Sequence, residues 1–154
     1  MWWGRPVVGW NTGRVRMNSR AWRDPFHEVA WGVIVARFHE LAGQHPELRH
    51  MAHIVDSVVE CGGEQRLAAL TSVHDLIVTA RPVPQRPPIE VVIVRSPWSG
   101  YVGAGGVFIE HRSITGHDDR IFRPSAEAVP LFWRFMSYKF GVEPVRERPP
   151  SAVG

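Results

Sequence analysis

Apolar positions in this chain fall into three helical stripes and a set of short runs of β type. In the first stripe, Val29, Ala30, Trp31, Val33, Ile34 and Val35 run almost unbroken into Arg37, Phe38 and Leu41. Asp24 is placed as an N-cap, Pro25 suits the first helical position, and Glu28 favours the positive end of the helix dipole. Together they predict a helix over 24–42, stopped by Gly43. Apolar on most sides, it is expected in the middle of the core. Gly32 inside it costs roughly 1 kcal/mol against alanine, which points to close packing there. In the second stripe Leu48, Met51, Ala52, Val55, Val58 and Val59 recur at i, i+3, i+4, i+7, i+10 and i+11. This amphipathic spacing predicts a helix over 46–61 with Arg49, His53, Asp56 and Glu60 on its solvent side. The third stripe, Val129, Phe132, Trp133, Met136 and Phe140, predicts a helix over 126–140, in which Pro130 is tolerable only in the first turn.

The remaining apolar runs are too short or too rich in β-branched residues for helices. Residues 67–79 carry the composition of a strand. Four prolines from Pro82 to Pro88 predict an extended connector. The run Glu90–Arg95 then reads as a strand, followed after a glycine-rich loop by an alternating strand over 107–114. A turn at 115–119 returns a short strand over 120–123. The order α-α-β-β-β-β-α, with hairpin-length connections between the later strands, predicts an α+β fold of three helices packed on a small antiparallel sheet. Trp31, Val55, Ile93, Ile109, Phe132 and Met136 are the expected core.

Charge divides the chain. Residues 1–23 hold Arg5, Arg14, Arg16, Arg20 and Arg23, no acid, and four of the seven tryptophans: Trp2, Trp3, Trp10 and Trp22. Removing those five arginines from 18 basic residues leaves 13 against 15 acidic ones, a body of net charge −2. The tryptophans follow no helical or strand period that would bury them together. The segment therefore reads as an irregular basic arm (1–23), preceding one α+β domain over 24–142 and a proline-rich tail over 143–154. Met17 offers a second initiation site, which would leave residues 1–16 outside the protein. Cys61 is the only cysteine, so neither an intrachain disulfide nor a cysteine-rich zinc site forms, and a reducing, cytoplasmic setting is expected. The longest apolar run, Val29 to Ala36, is far short of a membrane span.

Candidate chemistry is sparse. Gly100, Gly103, Gly105 and Gly106 follow a strand as phosphate loops do, but GAGGVF lacks the third glycine of GxGxxG, no GK[ST] follows, and the next element alternates like a strand. His39-Glu40 fails as HExxH because Gly43 stands where the second histidine belongs. His50 and His53 share a helix face without a third ligand and read as solvated. Adjacent residues on a strand point to opposite faces, so Glu110 and His111 cannot serve one ligand, and Glu110 reads with Arg112 as an ordinary cross-strand charge pattern. Cys61 ends a helix, where the dipole raises a thiol pKa. No metal and no cofactor are expected.

These readings favour a non-catalytic interaction or assembly protein with a protein partner or a second copy of itself. It would bind through Trp2, Trp3, Arg5, Trp10, Arg14 and Arg16 of the arm and through Trp98 and Tyr101 of the 96–106 loop, because Trp and Arg dominate binding hot spots. The alternative is a small enzyme or ligand-binding domain between the glycine loop and the 115–119 turn, using His111, His117 and Asp118. A further alternative is a nucleic-acid-binding accessory protein, with the arm supplying charge and stacking.

Overall fold

The computed structural model describes residues 20–100 and 105–145; residues 1–19 of the expected arm (1–23) and residues 146–154 of the expected tail lie outside the described residues. Helix α1 spans Trp31–Gln44 and leads through a 3-10 turn at Pro46–Leu48 into α2, Arg49–Glu60. Five strands follow: β1 (Leu67–Ser72), β2 (Asp75–Ala80), β3 (Val91–Arg95), β4 (Gly106–Arg112) and β5 (Asp119–Pro124). They form one antiparallel meander in chain order. Helix α3, Ala128–Phe135, comes last and widens into a π turn over Met136–Phe140, closed by Gly141 at φ 66°. This is the expected α+β class, with one strand more than the sequence announces.

The extra strand arises because residues 67–79 fold back on themselves. Ser72 pairs with Asp75, leaving a two-residue turn at Val73-His74. Val73 takes φ 58°, a left-handed conformation that a β-branched residue resists. No glycine, proline or asparagine marks the turn, so the hairpin reads as one uninterrupted strand.

Helix α1 also starts later than its capping signals suggest. Asp24 and Pro25 lie in non-helical chain, because the backbone around them is committed to the sheet. Trp22 and Ile89 exchange two hydrogen bonds of 2.9 Å, and the Val29 N–H donates to the Ala69 carbonyl at 2.8 Å. The first helical bonds therefore fall on the Ala30 carbonyl, which accepts from Val33 and Ile34. Gly43 is inside the helix, and the stop comes at His45, held extended ahead of Pro46. Nor is α1 apolar all round. Only Trp31, Ile34 and Phe38 are fully buried, and a Cβ at Gly32 would meet nothing within 4 Å.

The sheet is covered on both faces. Leu67, Ala69, Leu76, Val78, Val92, Val94, Val107 and Ile109 point to the helices and meet Phe38, Met51, Ile54, Val55, Phe132 and Met136. On the other face, Leu70, Ile77, Val91 and Ile93 pack with Ile89, and Trp22, Phe26 and Val29 from the extended segment lie against them. Strands buried on both faces lose their polar alternation, which explains the continuous apolar run of β3. All six expected core residues are buried. Two indoles pin the helices: Trp31 Nε1 donates to the Leu67 carbonyl of the sheet at 2.8 Å, and Trp133 Nε1 joins α3 to α2 through Ser57 Oγ at 2.9 Å.

Candidate functional site

Three loops converge on Trp98 at one end of the sheet. Beyond β3, the Ser96 N–H donates to Asp75 Oδ1 at 2.8 Å, which pins the chain to β2. Ser96 Oγ accepts from the Trp98 N–H at 3.3 Å, and Pro97 opens a 3-10 turn over Pro97–Ser99. The side chain of Trp98 is thereby held edge-on to His45 of the α1–α2 connection, at 4.6 Å between ring centres, and to His74 of the β1–β2 turn, at 4.8 Å. Its Nε1 donates to Glu47 Oε2 at 3.1 Å. So held, Trp98 remains 39% exposed. The Glu47 carboxyl lies below its usual range because its own backbone N–H and the indole both donate to it.

Glu47 also lines a cleft of 350 Å³ with Arg49, His50, His53, Gly105 and Ser125. The expected solvated face of α2 is corrected here: His50 is buried, while His53 is exposed. Burial, with the charge of His53 beside it, lowers the His50 pKa to about 4, so its imidazole is neutral at physiological pH. His50 Nε2 and His74 Nδ1 are buried without a hydrogen-bond partner.

The other sequence candidates are scattered. Tyr101 and the arm residues Trp2, Trp3, Arg5, Trp10, Arg14 and Arg16 lie outside the described residues. Asp118 Oδ1 accepts from the Ser113 N–H at 2.9 Å and so closes the β4–β5 turn. His117 is exposed in that turn. Gly105 stands at the opposite end of β4, whose seven residues put roughly 20 Å between loop and turn. The two halves of the alternative site are therefore not brought together. His111 points under the helices, with Nε2 2.8 Å from Glu90 Oε2, its ring edge-on to Phe140, and Nδ1 sealed without a partner.

The sequence paired Glu110 with Arg112 but did not reveal the charge ladder that Arg95 and Asp75 complete on the other face of the sheet. Arg95 donates from Nη1 to Asp75 Oδ2 at 3.0 Å and from Nε to Glu110 Oε2 at 2.9 Å. Arg112 Nε donates to Glu110 Oε1 at 3.1 Å. Glu110 is 2% exposed, so this is a buried network and not a surface pattern. Burial alone would raise its carboxyl pKa, but the two guanidiniums outweigh it and the net shift is downward. The alternation that puts Glu110 opposite His111 was legible; its burial was not, because Arg-Glu pairs normally mark solvent.

Among the described residues, no group of three or more His, Cys, Asp or Glu is placed to hold a metal ion, and no helix is long and apolar enough to cross a membrane. Comparison with protein-family models, with curated proteins and with solved structures returns no match.

Proposed function

We propose that this chain is a non-catalytic recognition protein that takes a segment of a protein partner into the cleft beside Trp98, with the Trp/Arg arm adding contact area. The observation that carries this reading is the setting of Trp98. A large aromatic that is fixed on three sides and still exposed presents contact area at little entropic cost, which is the character of a binding anchor. The cleft next to it offers Glu47, Arg49 and His53 as polar groups that set orientation. The residues best suited to acid-base chemistry support recognition over catalysis by their dispersal. His111 is tied to Glu90, Asp118 closes a turn, and His117 stands about 20 Å from the glycine loop.

Panning the full-length protein against a displayed random-peptide library tests the proposal. Enriched peptides should lose more than about tenfold in affinity for Trp98→Ala, the effect of removing an anchor worth roughly 2 kcal/mol. A chain starting at Met17 should keep the fold and bind the same peptides more weakly. Peptides that bind Trp98→Ala as well as wild type, or a library that yields none, would overturn the assignment.

A further inference from the structure

We propose that β5 is the seam of a two-fold symmetric dimer, in which two copies of this chain pair edge to edge, antiparallel, into a ten-stranded sheet. The inference uses the opposite edge of the sheet from the β1 hairpin and stands independently of the Trp98 reading. Of the two sheet edges, β1 is partly closed by the Val29–Ala69 bridge. β5 is open: every residue from Asp119 to Pro124 is exposed except Ile121, which is half-buried, and Phe122 is 51% exposed. Its pairing with β4 runs from Gly106–Pro124 to His111–Asp119 without a bulge, so the edge is straight enough to template another strand.

The phase of the ladder says which peptide groups the edge offers. The Ser125 N–H donates to the Gly105 carbonyl at 2.7 Å, and Gly106 faces Pro124. That combination makes Gly106–Pro124 a non-hydrogen-bonded pair, so Asp119, Ile121 and Arg123 turn their peptide groups to β4. Arg120 and Phe122 turn theirs outward. A two-fold axis normal to the sheet at Ile121 sets Arg120 opposite Phe122 of the second copy. Both outward N–H groups of each chain then find carbonyl acceptors.

Side chains select that register. With the axis at Ile121, Asp119 faces Arg123 of the second copy and Arg120 faces the Phe122 ring. The seam then holds two ion pairs, two cation–π contacts and an Ile121–Ile121 contact on the axis. Moving the axis to Arg120 sets like charges against each other; moving it to Phe122 sets Ile121 against Arg123 and leaves Asp119 only Lys139 of its own chain. Among the described residues Arg120 has no ion-pair partner, Arg123 reaches only Glu127 at 3.8 Å and its neighbouring Phe122 carbonyl at 2.9 Å, and Asp119 pairs with Lys139, so in the seam its carboxylate is shared between Lys139 and the second copy's Arg123. Two arginines on an edge ordinarily repel a like strand. Here Asp119 and Phe122 answer them. On the helix side, the seam would close over the 80 Å³ groove that Asp119, Ile121, Arg134, Phe135, Tyr138 and Lys139 line, where Tyr138 is 74% exposed.

Sedimentation velocity of the full chain over a concentration series tests the seam. Wild type should move from 17.4 kDa toward twice that mass in the micromolar range, with weaker association in high salt. Phe122→Pro removes an outward N–H on an edge strand, where proline is tolerated, and should remain monomeric while keeping its circular dichroism. Arg123→Asp should also dissociate the dimer, and adding Asp119→Arg together with Lys139→Glu, which swaps the Asp119–Lys139 pair as well, should restore it. Ile121→Cys in a Cys61→Ser background should cross-link across the axis on mild oxidation, whereas Arg123→Cys should not, because only the central pair has the short Cα separation of a disulfide. A wild-type chain that stays monomeric throughout the series would overturn the proposal. So would a dimer indifferent to both Phe122→Pro and Arg123→Asp, or an Arg123→Asp loss that Asp119→Arg with Lys139→Glu fails to restore.

Discussion

Replacing Glu110 with alanine removes one carboxylate that answers two guanidiniums. Glu110 is 2% exposed and accepts from Arg95 and Arg112 at 2.9 and 3.1 Å. After the change Arg95 keeps Asp75 at 3.0 Å, while Arg112 loses its carboxylate. Taking one partner from a buried pair costs about 3–5 kcal/mol, and the water still open to Arg112 places this case near 3 kcal/mol. For a fold of this size that corresponds to a fall in Tm of roughly 10 °C. Urea unfolding followed by far-ultraviolet circular dichroism reads the difference directly. Glu110→Gln, which keeps an acceptor and loses the charge, should cost about half as much. Glu28→Ala breaks the more exposed pair with Arg81 and should cost under about 1 kcal/mol. Acid supplies an internal check. The folded-state pKa of Glu110 lies below its ordinary value of 4.5, so its stabilisation is complete above that value and lost as pH falls through the lowered one. The gap between wild type and Glu110→Ala should therefore narrow as pH falls below 4.5. A Glu110→Ala protein within about 0.5 kcal/mol of wild type at neutral pH would refute the claim that the ladder is a buried ionic network.

Three smaller changes probe local physics. Gly32→Ala should raise stability by about 0.5–1 kcal/mol in the same urea assay, because α1 gains helix propensity at a site with nothing within 4 Å of the new Cβ. Val73→Gly should raise it by roughly 0.5–1 kcal/mol, since the side chain is 76% exposed and its φ of 58° is strained for valine but not for glycine. His50 has a folded-state pKa of about 4 against an ordinary 6.5, so the unfolded chain takes up a proton first and stability falls as pH drops from 6.5 to 4. Wild type should lose about 2 kcal/mol more than His50→Gln between pH 7 and 4.5; equal losses would show that His50 protonates as readily in the fold as outside it.

The periodic parts of this fold were legible and the exceptions were not, for physical reasons that differ residue by residue. The stripe from Leu48 to Val58 and the one from Phe132 to Met136 declare their helices because each buries one continuous face. Asp24 and Pro25 carry a sound capping signal that lost to a longer-range one, the pairing of Trp22 and Val29 with strands far along the chain. Val73 hid a turn because tertiary pairing, from Leu67–Ala80 to Ser72–Asp75, overrides an unfavourable φ. The site was hidden more deeply. Trp98 was visible as a contact residue, but His45, Glu47 and His74, the groups that fix it, lie 53, 51 and 24 residues before it on separate connections that no local pattern joins.

Placed together, the two proposed surfaces constrain each other. Ser125 lines the Trp98 cleft and directly follows Pro124, the last residue of β5. The cleft therefore sits at one end of the seam, four residues from the axis at Ile121. Antiparallel pairing sends the second copy's cleft to the other end, so the two Ser125 positions lie roughly 27 Å apart at 3.4 Å per residue. Two clefts so placed face opposite ends of one rigid sheet and cannot close on a single short segment. The assembly is then a bivalent bridge between two partner molecules, or between two distant segments of one. Its avidity depends on the seam, whereas the intrinsic affinity of each cleft does not. Phe122→Pro should consequently leave peptide binding at each cleft unchanged while abolishing bridging, and Trp98→Ala should weaken the clefts while leaving the dimer intact. Each variant isolates one surface, so failure of either reading is visible without disturbing the other.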